Sequence, residues 1–155
     1  ENSSRYLLAS DAGYGFVATL EDLLTRNKSG KAVLSARGAG VLAPQRVFEY
    51  EDDWGAAITD TGRLLIFPLA ELPLLPKGKG VKLINIPGPR HKAGEEKLTA
   101  VAVFREGDAL RLFAGKQNMR LKPSDIYTFA GSRAQRGRVL PRGYQRPTAI
   151  ETVPA

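Results

Sequence analysis

The sequence predicts an all-β, propeller-like fold of about three four-stranded units, and three observations carry the prediction. The chain repeats itself: YLLASDAGYGFVATLEDLL (6–24) aligns with GAAITDTGRLLIFPLAELP (55–73), and ALRLFAGKQNMRLKPSDI (109–126) is a weaker third copy. Each copy carries a glycine between two apolar runs, with 49 residues from Gly13 to Gly62 and 53 from Gly62 to Gly115. Four strands in about fifty residues is the period of a propeller blade. The apolar runs are short, rich in Val, Leu, Ile and Phe, and punctuated by Gly or Pro, so helix content should be low.

The opening element has two possible readings. Leu7–Ser10 running into Gly13-x-Gly15-x-x-Ala18 is spelled like a dinucleotide-binding turn, where glycines admit a pyrophosphate to a helix N-terminus. The second repeat keeps Asp60 and Gly62 but has Leu64 in place of Gly15, and it puts Pro68 inside the required helix. Proline there costs about 3 kcal/mol. The segment about twenty residues past Gly13, KAVLSARGAG, also lacks a strand-ending acidic residue to hold a ribose. An Asp-x-Gly turn between two strands needs only one residue at positive φ, which glycine supplies, so 6–24 reads as a β-hairpin.

Each repeat continues alike. A short acidic turn (EDL, AEL, SDI) leads to a basic, glycine-containing loop, then a third strand (near Ala32–Ser35, Val81–Ile86 and Arg138–Leu140) and a fourth (near Val41–Tyr50, Leu98–Phe104 and Thr148–Val153). The blades are expected near 6–50, 55–104 and 109–153, within one domain over 1–155. Closed propellers usually need about four to eight blades. Three imply a piece of a larger ring or spiral, or blade edges that pair between molecules. The lone methionine is Met119 and the chain starts almost on a strand, which favours a fragment of something longer.

Charge supplies the function class. The net charge is +7, divided as +2 over 1–47, −5 over 48–75, +4 over 76–104 and +6 over 105–155. Well-mixed surfaces intersperse their signs; clustered cations point to a polyanion. The clusters recur at one phase, just before strand three: Arg26, Lys28 and Lys31; Lys77, Lys79 and Lys82; Arg133, Arg136, Arg138, Arg142 and Arg146. Lys116 and Arg120 of the third hairpin are counted with them. Equivalent positions on successive blades make a curved band, and Gly30, Gly78, Gly80 and Gly137 are expected to let backbone N–H groups approach phosphates. The acidic EYEDDW reads as a surface loop that limits where the partner sits. PKGKG lacks the spacing of a P-loop, no recognition helix or zinc finger is present, and most phenylalanines fit strand patterns. Backbone tracking of duplex DNA, with weak sequence preference, is therefore expected over stacking on unpaired bases. The alternative is an interaction propeller that docks an acidic protein.

Chemistry of its own is not expected. Zero cysteines exclude disulfides and thiolate metal sites, and the lone His91 lacks zinc partners and reads as a solvated loop residue. Asp11, Asp60, Glu21 and Glu71 sit in turns, where they have local roles, and Tyr127 and Tyr144 read as surface tyrosines near basic residues. No apolar run reaches membrane-spanning length and no signal-like segment opens the chain.

YLLASDAGYGFVATLEDLLTRNKSGKAVL, AAITDTGRLLIFPLAELPLLPKGKGVKLINIP and RAQRGRVLPRGYQR closely resemble the C-terminal domain of the A subunit of bacterial DNA topoisomerase IV, to which a domain of the gyrase A subunit is related. The resemblance covers essentially the whole chain. It implies a β-pinwheel of about five blades, of which these are the last three, with strands exchanged between neighbours. It further implies a non-catalytic domain whose basic rim binds and bends duplex DNA, aiding recognition of crossings in decatenation and supercoil relaxation. The gyrase Gln-Arg-Arg-Gly-Gly-Lys-Gly box is reduced here to QRGR (Gln135–Arg138), which argues for modest bending without a full wrap. The parent enzyme would be an ATP-dependent type II topoisomerase using ATP and magnesium elsewhere, with no cofactor in this fragment. Partners implied are duplex DNA, the rest of the A subunit with the B subunit in a heterotetramer, and condensin; the setting is the bacterial cytoplasm, on the chromosome.

Overall fold

Three antiparallel hairpins organise the chain, and the second and third repeats each lend a strand to the sheet before. The structure, a computed structural model, describes residues 3–28 and 33–155, with the backbone alone over 25–28. The first repeat contributes β1 (Arg5–Ala9), β2 (Tyr14–Thr19), α1 (Leu20–Lys28) and β3 (Gln45–Val47). The second contributes β4 (Trp54–Thr59), β5 (Arg63–Pro68), β6 (Val81–Lys82), α2 (Gly88–Lys92) and β7 (Leu98–Phe104). The third contributes β8 (Ala109–Ala114), β9 (Gln117–Leu121), α3 (Pro123–Ile126), β10 (Arg138–Val139) and β11 (Ala149–Val153).

The opening stretch is a hairpin. β1 and β2 pair antiparallel, with Leu7 opposite Val17 and Ala9 opposite Gly15. Gly13 closes the turn at φ 93° and donates to the Ser10 carbonyl at 3.0 Å; Gly62 repeats this at φ 88°, donating to Thr59 at 3.0 Å. An L side chain at either position would be strained, so these turns require glycine.

Residues 20–28 differ from expectation. The EDL segment and the basic residues after it form a helix rather than a turn and loop. The cause is local: the Thr19 hydroxyl accepts the Asp22 N–H at 3.2 Å and donates to the Asp22 carboxylate at 3.0 Å. This satisfies a first-turn donor and places negative charge at the helix start. In the second repeat Pro68 and Pro73 flank the same place and only a single 3-10 turn, Leu69–Glu71, forms. The third has one short α-turn and a 3-10 turn, Tyr127–Phe129.

The sheets are interleaved. Their orders are β3-β1-β2-β6, β10-β5-β4-β7 and β11-β8-β9. The first two sheets thus take their outermost strand from the following repeat, the exchange that a β-pinwheel implies. At the other edge, β7 packs between β3 and β11, placing these three toward the hub and β6 and β10 at the outer rim.

The middle sheet is buried on both faces, which explains its near-continuous apolar runs. Ala57, Leu65, Phe67, Val101 and Val103 pack toward the first sheet with Leu7, Val17, Leu83 and Ile84. Ala56, Ile58, Leu64, Ile66 and Phe104 face the third sheet with Leu110, Leu112, Leu121 and Ile150. Leu8, Phe16 and Ala18, on the far side of the first sheet, are covered by Val33 and Leu34 with Leu23 and Leu75. Among the described residues no helix is long and apolar enough to cross a membrane.

Candidate nucleic-acid interface

Two basic strands take the same place on successive sheets. β6 pairs with the start of β2 (Gly15 opposite Val81), and β10 with the start of β5 (Leu64 opposite Arg138). The residue just after each strand ties back to the hairpin turn: Leu83 N–H to the Gly13 carbonyl at 2.7 Å, and Leu140 N–H to the Gly62 carbonyl at 2.8 Å. The approach of each basic loop is also repeated, since Leu74 bridges Val17 and Ala130 bridges Ile66, both in parallel.

These loops join to one another. Ala134 donates to the Leu83 carbonyl at 2.9 Å and Asn85 to Gln135 at 2.8 Å. Gly78 donates to Val33 at 2.9 Å, and Ser35 to Gly78 at 2.8 Å. Segments 33–35, 77–85 and 133–139 therefore form one seam along the outer edge, at the end of the sheets that carries the hairpin turns.

The glycines serve this seam differently from expectation. Gly80 (φ 82°) and Gly137 (φ 80°) each precede a basic strand, and an added Cβ would lie 2.1 Å from the Gly15 oxygen or 2.9 Å from the Leu64 oxygen. Their smallness lets each strand close on its neighbour. Gly78, in contrast, faces open space, and Gly30 lies outside the described residues.

The expected basic residues are distributed as follows. Lys77, Lys116, Arg120, Arg138, Arg142 and Arg146 are exposed. Lys79 and Lys82 are half-buried on either side of Val81, with ammonium groups 3.9 and 5.9 Å from the centre of the Tyr14 ring. Lys82 also donates to Asn85 at 2.7 Å. Arg133 is held at both ends, its N–H on Glu71 at 2.7 Å and its guanidinium on the Lys82 carbonyl at 3.1 Å. Lys116 tips the third hairpin. The loop bearing Arg142 and Arg146 lies against that hairpin and the second turn, through Tyr144 donating to the Asn118 carbonyl at 3.0 Å and Gln145 packing on Gly62. The Arg26 and Lys28 side chains and all of Lys31 lie outside the described residues; the backbone places Arg26 and Lys28 in α1 rather than in a loop.

Arg136 is engaged inward. Its guanidinium grips Glu96, one contact measuring 3.0 Å, while Arg90 donates to the same carboxylate at 3.2 Å and Thr61 at 2.7 Å. The Glu96 side chain has no exposed surface. Burial pushes its carboxyl up, but the hydrogen bonds from Arg136, Thr61, Thr59 and Arg90 outweigh that and lower it from 4.5 to about 2. Glu96 thus fastens the third repeat's basic loop to the second hairpin turn and α2.

His91 is likewise fastened. It lies in α2, half-buried, with Nε2 2.8 Å from Asp11 Oδ1, and is not a free loop residue. The sequence signal for Arg37, Arg90, His91 and Lys92 was slight: they stand outside the repeated phase, in SARGAG and GPRHKAGEEK. The acidic turn carries structure as well, because buried Asp53 accepts the N–H groups of Phe48 and Glu49 at 2.8 and 3.0 Å. Asp60 accepts the Lys97 N–H at 2.9 Å, in keeping with the local role expected of turn carboxylates. Among the described residues no His, Cys, Asp and Glu grouping suits a metal ion.

Strand exchange between successive sheets, with cationic strands at their outer edges, defines a β-pinwheel. The family model described as "DNA gyrase C-terminal domain, beta-propeller" matches residues 5–39 and 56–105, and the chain belongs to that family. It is 50% identical over 151 residues to the A subunit of DNA topoisomerase 4 from Pseudomonas aeruginosa, and 40% identical over 150 residues to its counterpart from Escherichia coli K12. In each case the match takes in 97% of this chain and 20% of the relative, so the chain spans about a fifth of those proteins. The solved structure of the E. coli ParC C-terminal domain superposes with a TM-score of 0.88 at 40% identity, covering all of this chain and 62% of that one. A gyrase A C-terminal domain, at 17% identity and a TM-score of 0.75, shares the fold.

Proposed function

We propose that this domain is the DNA-holding part of a topoisomerase IV, belonging to its A subunit, and that it grips the phosphate backbone of a duplex along its rim and curves it. The observation that carries the reading is the seam: β6 and β10 occupy equivalent outer edges, and the loops beside them are hydrogen-bonded through Ala134 to Leu83 and Asn85 to Gln135. Lys77, Lys79, Lys82, Arg133 and Arg138 consequently follow one path, extended by Lys116, Arg120, Arg142 and Arg146 beside the third hairpin. Arg26, Lys28 and Lys31 belong to the same proposed set by sequence. Arg136 supports the path through Glu96.

A path of backbone contacts distinguishes duplex shape more than base identity. In the parent enzyme it would present one segment to the catalytic core at a preferred crossing, aiding decatenation and relaxation. The B subunit, ATP and magnesium would act there, at the bacterial chromosome, with condensin as a further proposed partner.

A salt titration with linear duplex DNA tests the reading. Neutralising about six to ten phosphates gives a log K against log[salt] slope of roughly −0.9 per contact. Reversing charge at Lys77, Lys79 and Lys82 together should weaken binding to unrelated sequences equally, by about tenfold or more, and flatten the slope by about three. A slope near zero in the unaltered domain would leave only an acidic protein as partner.

A further inference from the structure

Behind the first basic strand lies a groove of about 470 Å³, walled by the first hairpin turn, residues 36–39, β6 and α2. Tyr14, Arg37, Lys79, Lys82, His91 and Lys92 line it, and among the described residues no carboxylate does. Three of these, Arg37, His91 and Lys92, lie outside the repeated basic clusters. The Tyr14 ring holds the Lys79 and Lys82 ammonium groups near its face, a cation–π arrangement that fixes their positions. Asp11, on the hairpin turn, is engaged by His91 Nε2 at 2.8 Å.

We infer that this groove is a subsite for a backbone phosphate of the bound duplex, continuous with the rim through Lys79 and Lys82 but completed by Arg37 and Lys92 from outside the repeated clusters. The inference rests on the rim's reading as a DNA path. Four permanent cations converge on the groove from three elements: Arg37 from the 36–39 loop, Lys79 and Lys82 from the β6 segment, Lys92 from α2. Arg90, also on α2, is turned away to Glu95 and Glu96. Asp11, paired with His91 at 2.8 Å, is the charge that opposes the four cations, and it subtracts from the field that they present to phosphate.

The test measures affinity for linear duplex DNA over a salt range. R37Q and K92Q should each weaken binding several-fold and flatten the slope by about one, the loss of one contact. D11N, which removes the opposing charge, should tighten binding without flattening the slope. Unchanged slopes in R37Q and K92Q, or no tightening in D11N, would overturn the groove assignment while leaving the rim intact. Failure of the unaltered domain to bind DNA at low salt would overturn the rim reading and the groove with it.

Discussion

Glu96 is held by Arg90, Arg136 and Thr61 behind the candidate interface, and its chemistry sets an acid limit on stability. The folded carboxyl lies near 2 against an ordinary 4.5, so it stabilises the fold above pH 4.5 and that contribution drains away as pH falls toward 2. The full shift corresponds to about 3 kcal/mol. E96Q should remove this part of the acid dependence in urea melts between pH 5 and 2.5. At neutral pH it should cost about 2 kcal/mol, less than the loss of a fully buried pair, because Arg90 and Arg136 retain 41% and 30% side-chain exposure and can rehydrate. The basic character of Arg136 was legible in QRGR, but its partner was not. Forty residues separate Arg136 from Glu96, and no periodic pattern marks a contact set by the crossing of two loops.

At the scale of elements, the hairpins were the most legible feature, because an Asp-x-Gly turn between apolar runs has one economical backbone solution. The helix at 20–28 was harder to read, since its start depends on the Thr19–Asp22 reciprocal bonds while its polar composition suits a loop equally well. β7 and β11 fall where fourth strands were expected; in the first repeat the fourth strand shortens to β3, and 33–35 forms no strand, only an isolated bridge from Leu34 to Gly78. β6 and β10 fall where third strands were expected, though they have only two paired residues each. Their attachment depends on backbone clearance. G80A should therefore destabilise the domain by about 2–4 kcal/mol, because positive φ and a 2.1 Å clash with backbone act together. G88A, which meets nothing within 4 Å, should stay within about 0.5 kcal/mol. Thermal melts of both variants check the contrast; equal effects would mean the β6 crossing is not tight.

For the molecule as a whole, the repeat period specified a propeller-like body, and the sheets have that arrangement; of the cation clusters, those of the second and third repeats accompany the exchanged strands, whereas Arg26 and Lys28 fall in α1. Ownership of the strands could not be read from spacing, because a strand written in one repeat satisfies the periodicity equally well when it joins the previous sheet. The central sheet, covered on both faces, couples the other two. F67A, which opens a void between the first and second sheets, should cost about 3–5 kcal/mol and lower a single melting transition rather than split it. Calorimetry distinguishes these outcomes.

The exchanged strands have a mechanical consequence. β6 and β10 are both clasps between successive units and bearers of the groups proposed to face DNA, so a bound duplex would be laced across the very joints that keep the units together. Occupancy should harden those joints: at a hundredfold excess over Kd, DNA is worth about 2.7 kcal/mol to the folded form. Amide exchange at Leu83 and Leu140 should slow when duplex is added. A load pulling the duplex taut would be borne by the backbone lattice itself and passed from one unit to the next.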